Sequence, residues 1–252
     1  MKKQSNEERI REITVLVPER GSHPQYLISA FQFADVLKTS VKLILSEQWK
    51  NERPQKIAFY HEVLEDHLHD SDTSWNTHYV KDDWKEVLHA LRPMEDVLVV
   101  FRDEEPDFLK EVLLESPCPV LVIPKSFQQE CKQVLLAYVG GKFSTRSLRM
   151  GMLLGSSGCC QIRVVTVGIA SSHALRLAQS RARNYFDFWK VSAKYQTLKG
   201  NTEEKILDVC VSENVDLLIL GASETRDGKE RQLPSISQAL VERVNCPVMI
   251  VR

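Results

Sequence analysis

The sequence predicts an α/β chain of two tandem, five-stranded parallel sheets with helices on both faces. Three observations predict it. Short apolar runs of strand length alternate along the chain with segments whose apolar residues recur every third or fourth position. One ending occurs twice, as Glu115-Ser116-Pro117-Cys118-Pro119-Val120-Leu121-Val122-Ile123 and as Val244-Asn245-Cys246-Pro247-Val248-Met249-Ile250-Val251. Earlier strands repeat at an offset of about 120 residues, Val15-Leu16-Val17 with Val134-Leu135-Leu136 and Asp96–Val100 with Asp216–Leu220. Strands separated by helices pair in parallel through right-handed crossovers.

In the first half, Ile13–Pro18 reads as a strand, and Leu27, Ala30, Ala34 and Leu37 mark one face of a helix. Val41–Leu45 is the second strand. Ile57–His69 has helical spacing, and Asn76–Val80 is a more polar strand suited to a sheet edge. Trp84, Val87, Leu88 and Leu91 define the next helix, with Asp83 and Glu86 spaced as a capping box. Val97–Phe101, a helix through Phe108, Val112 and Leu113, and Val120–Ile123 complete the half.

The second half repeats this order with strands at Gln133–Tyr138, Gln161–Val167, Val191–Leu198, Val215–Leu220 and Val248–Val251. Its helices are expected over Thr145–Gly155, Ser172–Trp189 and Thr202–Glu213, with a last one on which Ile236, Leu240 and Val244 recur every fourth residue. Pro234 suits the first turn of that helix, and Ser235 or Ser237 can accept from its free N–H groups. The two final strands stand about eight residues further apart than the other repeats. The extra residues fall in the loop from Gly221 to Leu233, between a strand end and a helix N-terminus, where α/β proteins place phosphates. The first half passes from Phe101-Arg102 through Asp103-Glu104-Glu105-Pro106 directly into a helix and leaves no room for such a loop. The expected organisation is a flexible N-terminal extension over 1–12, a first domain over 13–124, a linker over 125–131 and a second domain over 132–252.

Composition excludes several function classes. A formal net charge of −1, with basic and acidic residues interleaved, argues against a nucleic-acid surface. No apolar run reaches the length of a membrane span, and no signal peptide is apparent. The 6 cysteines form no C-x-x-C pair, which fits a reducing, cytoplasmic setting. Catalytic signatures are also absent: there is no G-x-S-x-G elbow, no G-x-x-x-x-G-K-(S/T) loop and no H-E-x-x-H.

The stretch from Val215 to Arg252 resembles the C-terminal half of a universal stress protein domain, and the resemblance extends over essentially the whole chain after Ile13. That family ends with a strand, the pattern G-x2-G-x9-G-(S/T), a helix and a Cys-Pro-Val-type strand. Without a gap the pattern falls on Gly221, Glu224, Pro234 and Ser235, so two of its three glycines are replaced. The resemblance implies a Rossmann-like strand order 3-2-1-4-5 in each half, with the last strands, Val120–Ile123 and Val248–Val251, meeting edge to edge as an internal pseudo-dimer. A further homodimer of whole chains stays open. In nucleotide-binding members an acidic residue after the first strand contacts the nucleoside. That position falls on Arg20 in the first half and on Val139 in the second, and neither is a carboxylate. Gly221 and Ser235 survive from the phosphate pattern, with Ser223 and Ser237 nearby and Arg226, Lys229 and Arg231 supplying positive charge.

Three further clusters carry residue types that could support chemistry. Gly140-Gly141, before Lys142-Phe143-Ser144, stands where the related ATP pyrophosphatases carry S-G-G-x-D-S, but the first serine and the aspartate are missing. A tight turn that starts a helix suits the two glycines, and Gly140 joins the anion-binding candidates. His61 and Glu65 share a helix face, as zinc ligands do, but no third ligand is fixed by spacing, so a solvated face is expected. Cys159 and Cys160 begin a strand, where neighbouring side chains point to opposite faces.

The resulting expectation is a non-catalytic stress-adaptation protein that requires no cofactor and binds a small ligand or a partner. Its nucleotide site is absent in the first half and degenerate in the second. The candidate nucleotide or anion residues are Gly140, Gly221, Ser223, Ser235 and Ser237. The alternatives are an ATP-binding protein with slow hydrolysis at the Gly221–Ser237 loop and a binder of an apolar metabolite or lipid.

Overall fold

The computed structural model describes residues 9–17, 24–52, 54–67, 71–81, 84–102, 104–124, 131–168, 173–221 and 234–252. The first half contains β1 (Glu12–Leu16), α1 (Pro24–Leu37), β2 (Ser40–Ser46), α2 (Glu47–Glu52), α3 (Pro54–His67), β3 (Trp75–Val80), α4 (Trp84–Ala90), β4 (Asp96–Phe101), α5 (Pro106–Glu115) and β5 (Val120–Ile123). The second contains β6 (Gln133–Ala137), α6 (Lys142–Ser156), β7 (Gln161–Gly168), α7 (His173–Trp189), β8 (Ala193–Lys199), α8 (Thr202–Ser212), β9 (Leu217–Gly221), α9 (Ser235–Arg243) and β10 (Val248–Val251).

These strands form one sheet in the order β3-β2-β1-β4-β5-β10-β9-β6-β7-β8. Each half therefore has the order 3-2-1-4-5 that the family resemblance implies. Every neighbouring pair is parallel except β5 and β10, which meet antiparallel with Val122 opposite Val248 and Leu121 opposite Met249. The strands near this seam carry the longest apolar runs, and every residue of β4, β5 and β10 is buried. That is the requirement on a strand covered from both sides. The outermost strands, β3 and β8, are half exposed and more polar, as sheet edges should be.

Helices lie on both faces. On one, α1 packs on α3 and α6, and α6 on α7, so the layer is continuous across the two halves. On the other, α8 packs on α9, and α4 meets α5 through Trp84 and Phe108, whose ring centroids are 5.2 Å apart. Three arginines tie the halves together. Arg102 donates from Nη1 to the Val244 carbonyl at the end of α9 (2.6 Å) and from Nη2 to Cys246 O (3.4 Å). Arg252 donates to Leu114 O in the last turn of α5, and Arg149 of α6 to Met94 O at 2.5 Å. Two of these cations sit at helix C-termini, where carbonyls lack partners and the helix dipole favours positive charge.

Some boundaries differ from the sequence expectation. Helix α2 was not anticipated: its one buried apolar residue, Trp49, stacks on Tyr60 at 6.0 Å, and a single position generates no period. α6 begins at Lys142 rather than Thr145, and β8 and β9 are shifted toward their C-termini, to Lys199 and Gly221. The Asp83 cap, the N-terminal segment up to residue 8 and most of the expected linker lie outside the described residues.

Asp96 and Asp216, equivalent in the repeat, are buried at the starts of β4 and β9. Asp216 Oδ2 accepts from the N–H groups of Lys132 (3.0 Å) and Gln133 (2.7 Å), and Asp96 Oδ2 from that of Arg92 (2.8 Å). Burial raises the Asp96 carboxyl from its ordinary value, against the lowering effect of the Arg92 hydrogen bond. A raised folded-state value means that Asp96's contribution is fully present below the unfolded value and is lost as pH rises through the folded one. Relative to wild type, Asp96→Asn should therefore gain thermal stability as pH rises across the carboxylate range and level off above it. A gain that appears on falling pH instead would refute this.

Candidate functional site

The two crossovers leaving β6 and β9 run to opposite faces of the sheet, which makes their C-terminal ends the topological switch point, the place, here termed the crevice, where doubly wound sheets collect ligands. One wall is the turn from β6 into α6. Tyr138 extends the pairing with β7 by donating its N–H to Val165 O at 2.9 Å, and its ring is buried. The chain then emerges at Val139, a valine that is 63% exposed. Gly140 has φ +90°, and a Cβ there would approach Ala178 Cβ to 3.3 Å, so both backbone and packing require glycine. Gly141 is different: it caps α6 in an extended conformation with nothing within 4 Å of a Cβ. The helix is closed by Thr145, which donates its N–H and Oγ1 to Gly141 O at 2.9 and 3.1 Å.

The other wall is the end of β9 and the start of α9. Gly221 is partly buried and pairs in register with Val251. Ser223, like Glu224, Arg226, Lys229 and Arg231, lies outside the described residues, as does Arg20 of the first half. Pro234 is the N-cap of α9 rather than part of its first turn, and no side chain caps the helix. The expected serine cap is therefore not made. Ser235 is exposed, whereas Ser237 is 6% exposed and faces inward with Leu240, Val241 and Val244. This inward set has helical spacing (237, 240, 241, 244) and corrects the expected stripe: Ile236 lies off it and is 41% exposed. Of the two serines, Ser235 alone is presented to solvent.

Neither α6 nor α9 has a side-chain cap or an acidic residue in its first turn. Among the described residues no side chain takes up their leading N–H groups, and both dipoles favour an anion. Gly140, Gly221 and Ser235 border this crevice. The Val139 side chain, standing where the family resemblance places a carboxylate, offers a hydrocarbon surface and no acceptor.

The other clusters resolve differently. The His61 ring packs edge-on against Trp75 at 4.9 Å, with Nε2 3.4 Å from Thr77 Oγ1, while Glu65 is exposed. Among the described residues, no three His, Cys, Asp or Glu side chains gather as a metal site. Cys159 is exposed and Cys160 buried, but neither begins a strand as expected: β7 starts at Gln161, and both thiols belong to the turn after α6. Sequence reasoning missed the three arginine ties and the contact between Cys131 and Cys160. Each joins residues far apart in the chain, and no short motif marks them.

Residues 164–252 match Usp, the universal stress protein family. The chain matches none of the curated proteins. Over 96% of its length it is similar to a functionally unknown protein from Pseudomonas aeruginosa PAO1, with 92% of that chain covered, a TM-score of 0.68 and 14% identity. A universal stress protein from Archaeoglobus fulgidus DSM 4304 is similar over 94% of this chain and 97% of its own, with a TM-score of 0.64 and 16% identity. The cytoplasmic domain of a prokaryotic cation chloride cotransporter is similar over 96% of this chain and 95% of its own, at a TM-score of 0.63 and 14% identity. At such identities the likeness establishes the α/β fold and not an activity. No helix among the described residues is long and apolar enough to cross a membrane.

Proposed function

We propose that the whole chain is a tandem universal stress protein, a cytoplasmic stress-adaptation protein without catalytic activity that holds a small ligand or partner in the crevice between β6 and β9. One observation carries the reading. The crevice keeps its glycine turn at Gly140 and two uncapped helix N-termini, yet presents exposed Val139 in place of the carboxylate that a nucleoside contact needs. The geometry suits a ligand with a small anionic group and an apolar body better than a nucleotide. The domains are read as 13–124 and 132–252, and the site belongs to the second.

A second reading, ATP binding with slow hydrolysis, is favoured by the uncapped N-terminus of α9 behind exposed Ser235. Native mass spectrometry of the full chain separates the two. With magnesium-ATP we expect no nucleotide adduct on wild type or on Ser235→Ala, and an extra mass on the protein as isolated would be the ligand itself. An increment of one nucleotide on wild type that Ser235→Ala loses overturns the first reading in favour of the second.

A further inference from the structure

The crevice uses none of the cysteines, and two of them touch. Cys131 precedes β6 and Cys160 precedes β7, and their sulfurs are 3.9 Å apart. Cys160 Sγ also donates to Cys131 O at 2.9 Å. From Gln133 opposite Gln161 onward the two strands are paired, so the backbones carrying the thiols are fixed side by side. The same register sets Cys131 one residue out of line with Cys160, so with strands about 4.8 Å apart and a rise of about 3.3 Å per residue the diagonal is about 6 Å, inside the Cα separation of about 4.4–6.8 Å that a disulfide spans. Closing the sulfur gap therefore asks for side-chain rotation and not for movement of the sheet. Cys159 takes no part in this contact: it is exposed in the turn before β7, with its Sγ 3.8 Å from Ser157 O.

The surroundings favour reaction at this pair over the other thiols. Cys131, the last residue of the expected linker, is partly exposed, so this pair has one member open to solvent although Cys160 is buried, whereas Cys118, Cys210 and Cys246 are all buried. Hydrogen bonding from Cys131 holds the Cys160 thiol below its ordinary value, and the same contact together with burial holds Cys131 well above. The lowered member, Cys160, can present a thiolate. Burial pushes Cys118 the other way, up to about 12, while Cys210 lowers Cys246 just as Cys131 lowers Cys160, so exposure and not acidity separates the two pairs. Cys131 also lines a cavity of about 20 Å³ at the seam, with Ser29, Gln32 and Phe33 of α1, Asp216 and Pro247.

We propose that Cys131 and Cys160 form a thiol oxidation site that low-molecular-weight disulfides convert to an intramolecular disulfide. One thiolate of the pair attacks a sulfur of the small disulfide, forming a mixed disulfide and releasing one small thiol. The second cysteine attacks the protein sulfur of that mixed bond and expels the other small thiol. Two protein thiols lose two electrons and two protons, and the small disulfide is reduced to two thiols. The new bond ties the end of the expected linker to the residue before β7 and fixes one wall of the seam cavity.

The test uses the full chain carrying Cys159→Ser, which removes the exposed thiol, incubated with oxidised glutathione. Intact mass is expected to fall by two hydrogens without a retained glutathione, and peptide mapping to join Cys131 to Cys160, reversibly with dithiothreitol. Adding Cys131→Ser should abolish the crosslink and leave one glutathione on Cys160. The proposal is overturned by an unchanged mass, by a stable glutathione adduct on the Cys159→Ser chain, or by a crosslink mapped to Cys210 and Cys246. Should Cys131→Ser fail to fold, the mapped bond in the parent decides the matter alone.

Discussion

Met249→Asp is expected to destabilise the chain by about 4 kcal/mol or more, the range reached when a charge is buried without a partner. Met249 is fully buried in β10, between Leu121 of β5 on one side and Ile219 of β9 on the other. Both neighbours are apolar, and helices cover the sheet, so a carboxylate there finds neither water nor a cation. The strand cannot rotate it outward, because every residue of β10 is buried and a one-residue slip replaces one interior side chain by another. The introduced group would keep its proton when folded. Its folded value rises above the unfolded one, so the deficit against wild type should be smallest at acidic pH and grow as pH rises through the carboxylate range. Met249→Leu, of similar volume, should cost less than about 1.5 kcal/mol. Urea denaturation of the three proteins at pH 5 and pH 8 checks this. Similar midpoints for the aspartate and leucine variants would mean that the seam is not the interior of one sheet.

That seam also marks the boundary of what the sequence reveals. The strands themselves are legible, because Val97–Phe101, Val120–Ile123 and Val248–Val251 are short apolar runs bounded by turn residues. The repeated Cys-Pro-Val ending marks the last strand of each half, and the family resemblance implies that these two meet. Their antiparallel direction, and the closure of both halves into one sheet, come from pairing between residues more than a hundred positions apart, which no local pattern encodes. Helix α2 is hidden for the opposite reason: its burial rests on one residue, Trp49, and a period needs several.

The candidate site was partly legible. Gly140 could be recognised as a turn glycine, and its positive φ and the nearness of Ala178 supply the reason. Ser237 could not be placed, because Ile236, Leu240 and Val244 suggest a plausible stripe by themselves. Only packing shows that the interior set begins one residue later. The Cys131–Cys160 contact depends on register between β6 and β7, which hydrophobic runs leave undetermined to within a residue or two.

The second large effect concerns the helix that supplies one wall of the crevice. Gly151 and Gly155 lie four apart in α6, on the face turned to the core, and both are there for closeness. A Cβ at Gly151 would come within 2.8 Å of Leu136 Cδ1, and one at Gly155 within 2.5 Å of Val191 Cγ1 and 2.9 Å of Ile162 Cγ1. Val191 cannot easily yield, since its N–H donates to Phe186 O at 3.0 Å and its side chain is β-branched. Alanine at 155 gains about 1 kcal/mol in helix propensity but incurs about 1–3 kcal/mol of overpacking. Steric cost should win, and Gly155→Val, with two further methyl groups and poorer propensity, should lose about 3 kcal/mol. Val191→Ala removes the offending methyl groups. Combined with Gly155→Val, it should recover at least about 1 kcal/mol relative to the sum of the single variants, the coupling expected of residues in direct contact. Additive effects across that cycle would show that α6 is held at a distance by something other than Val191. The crevice turn at Gly140 would then not be positioned by this packing.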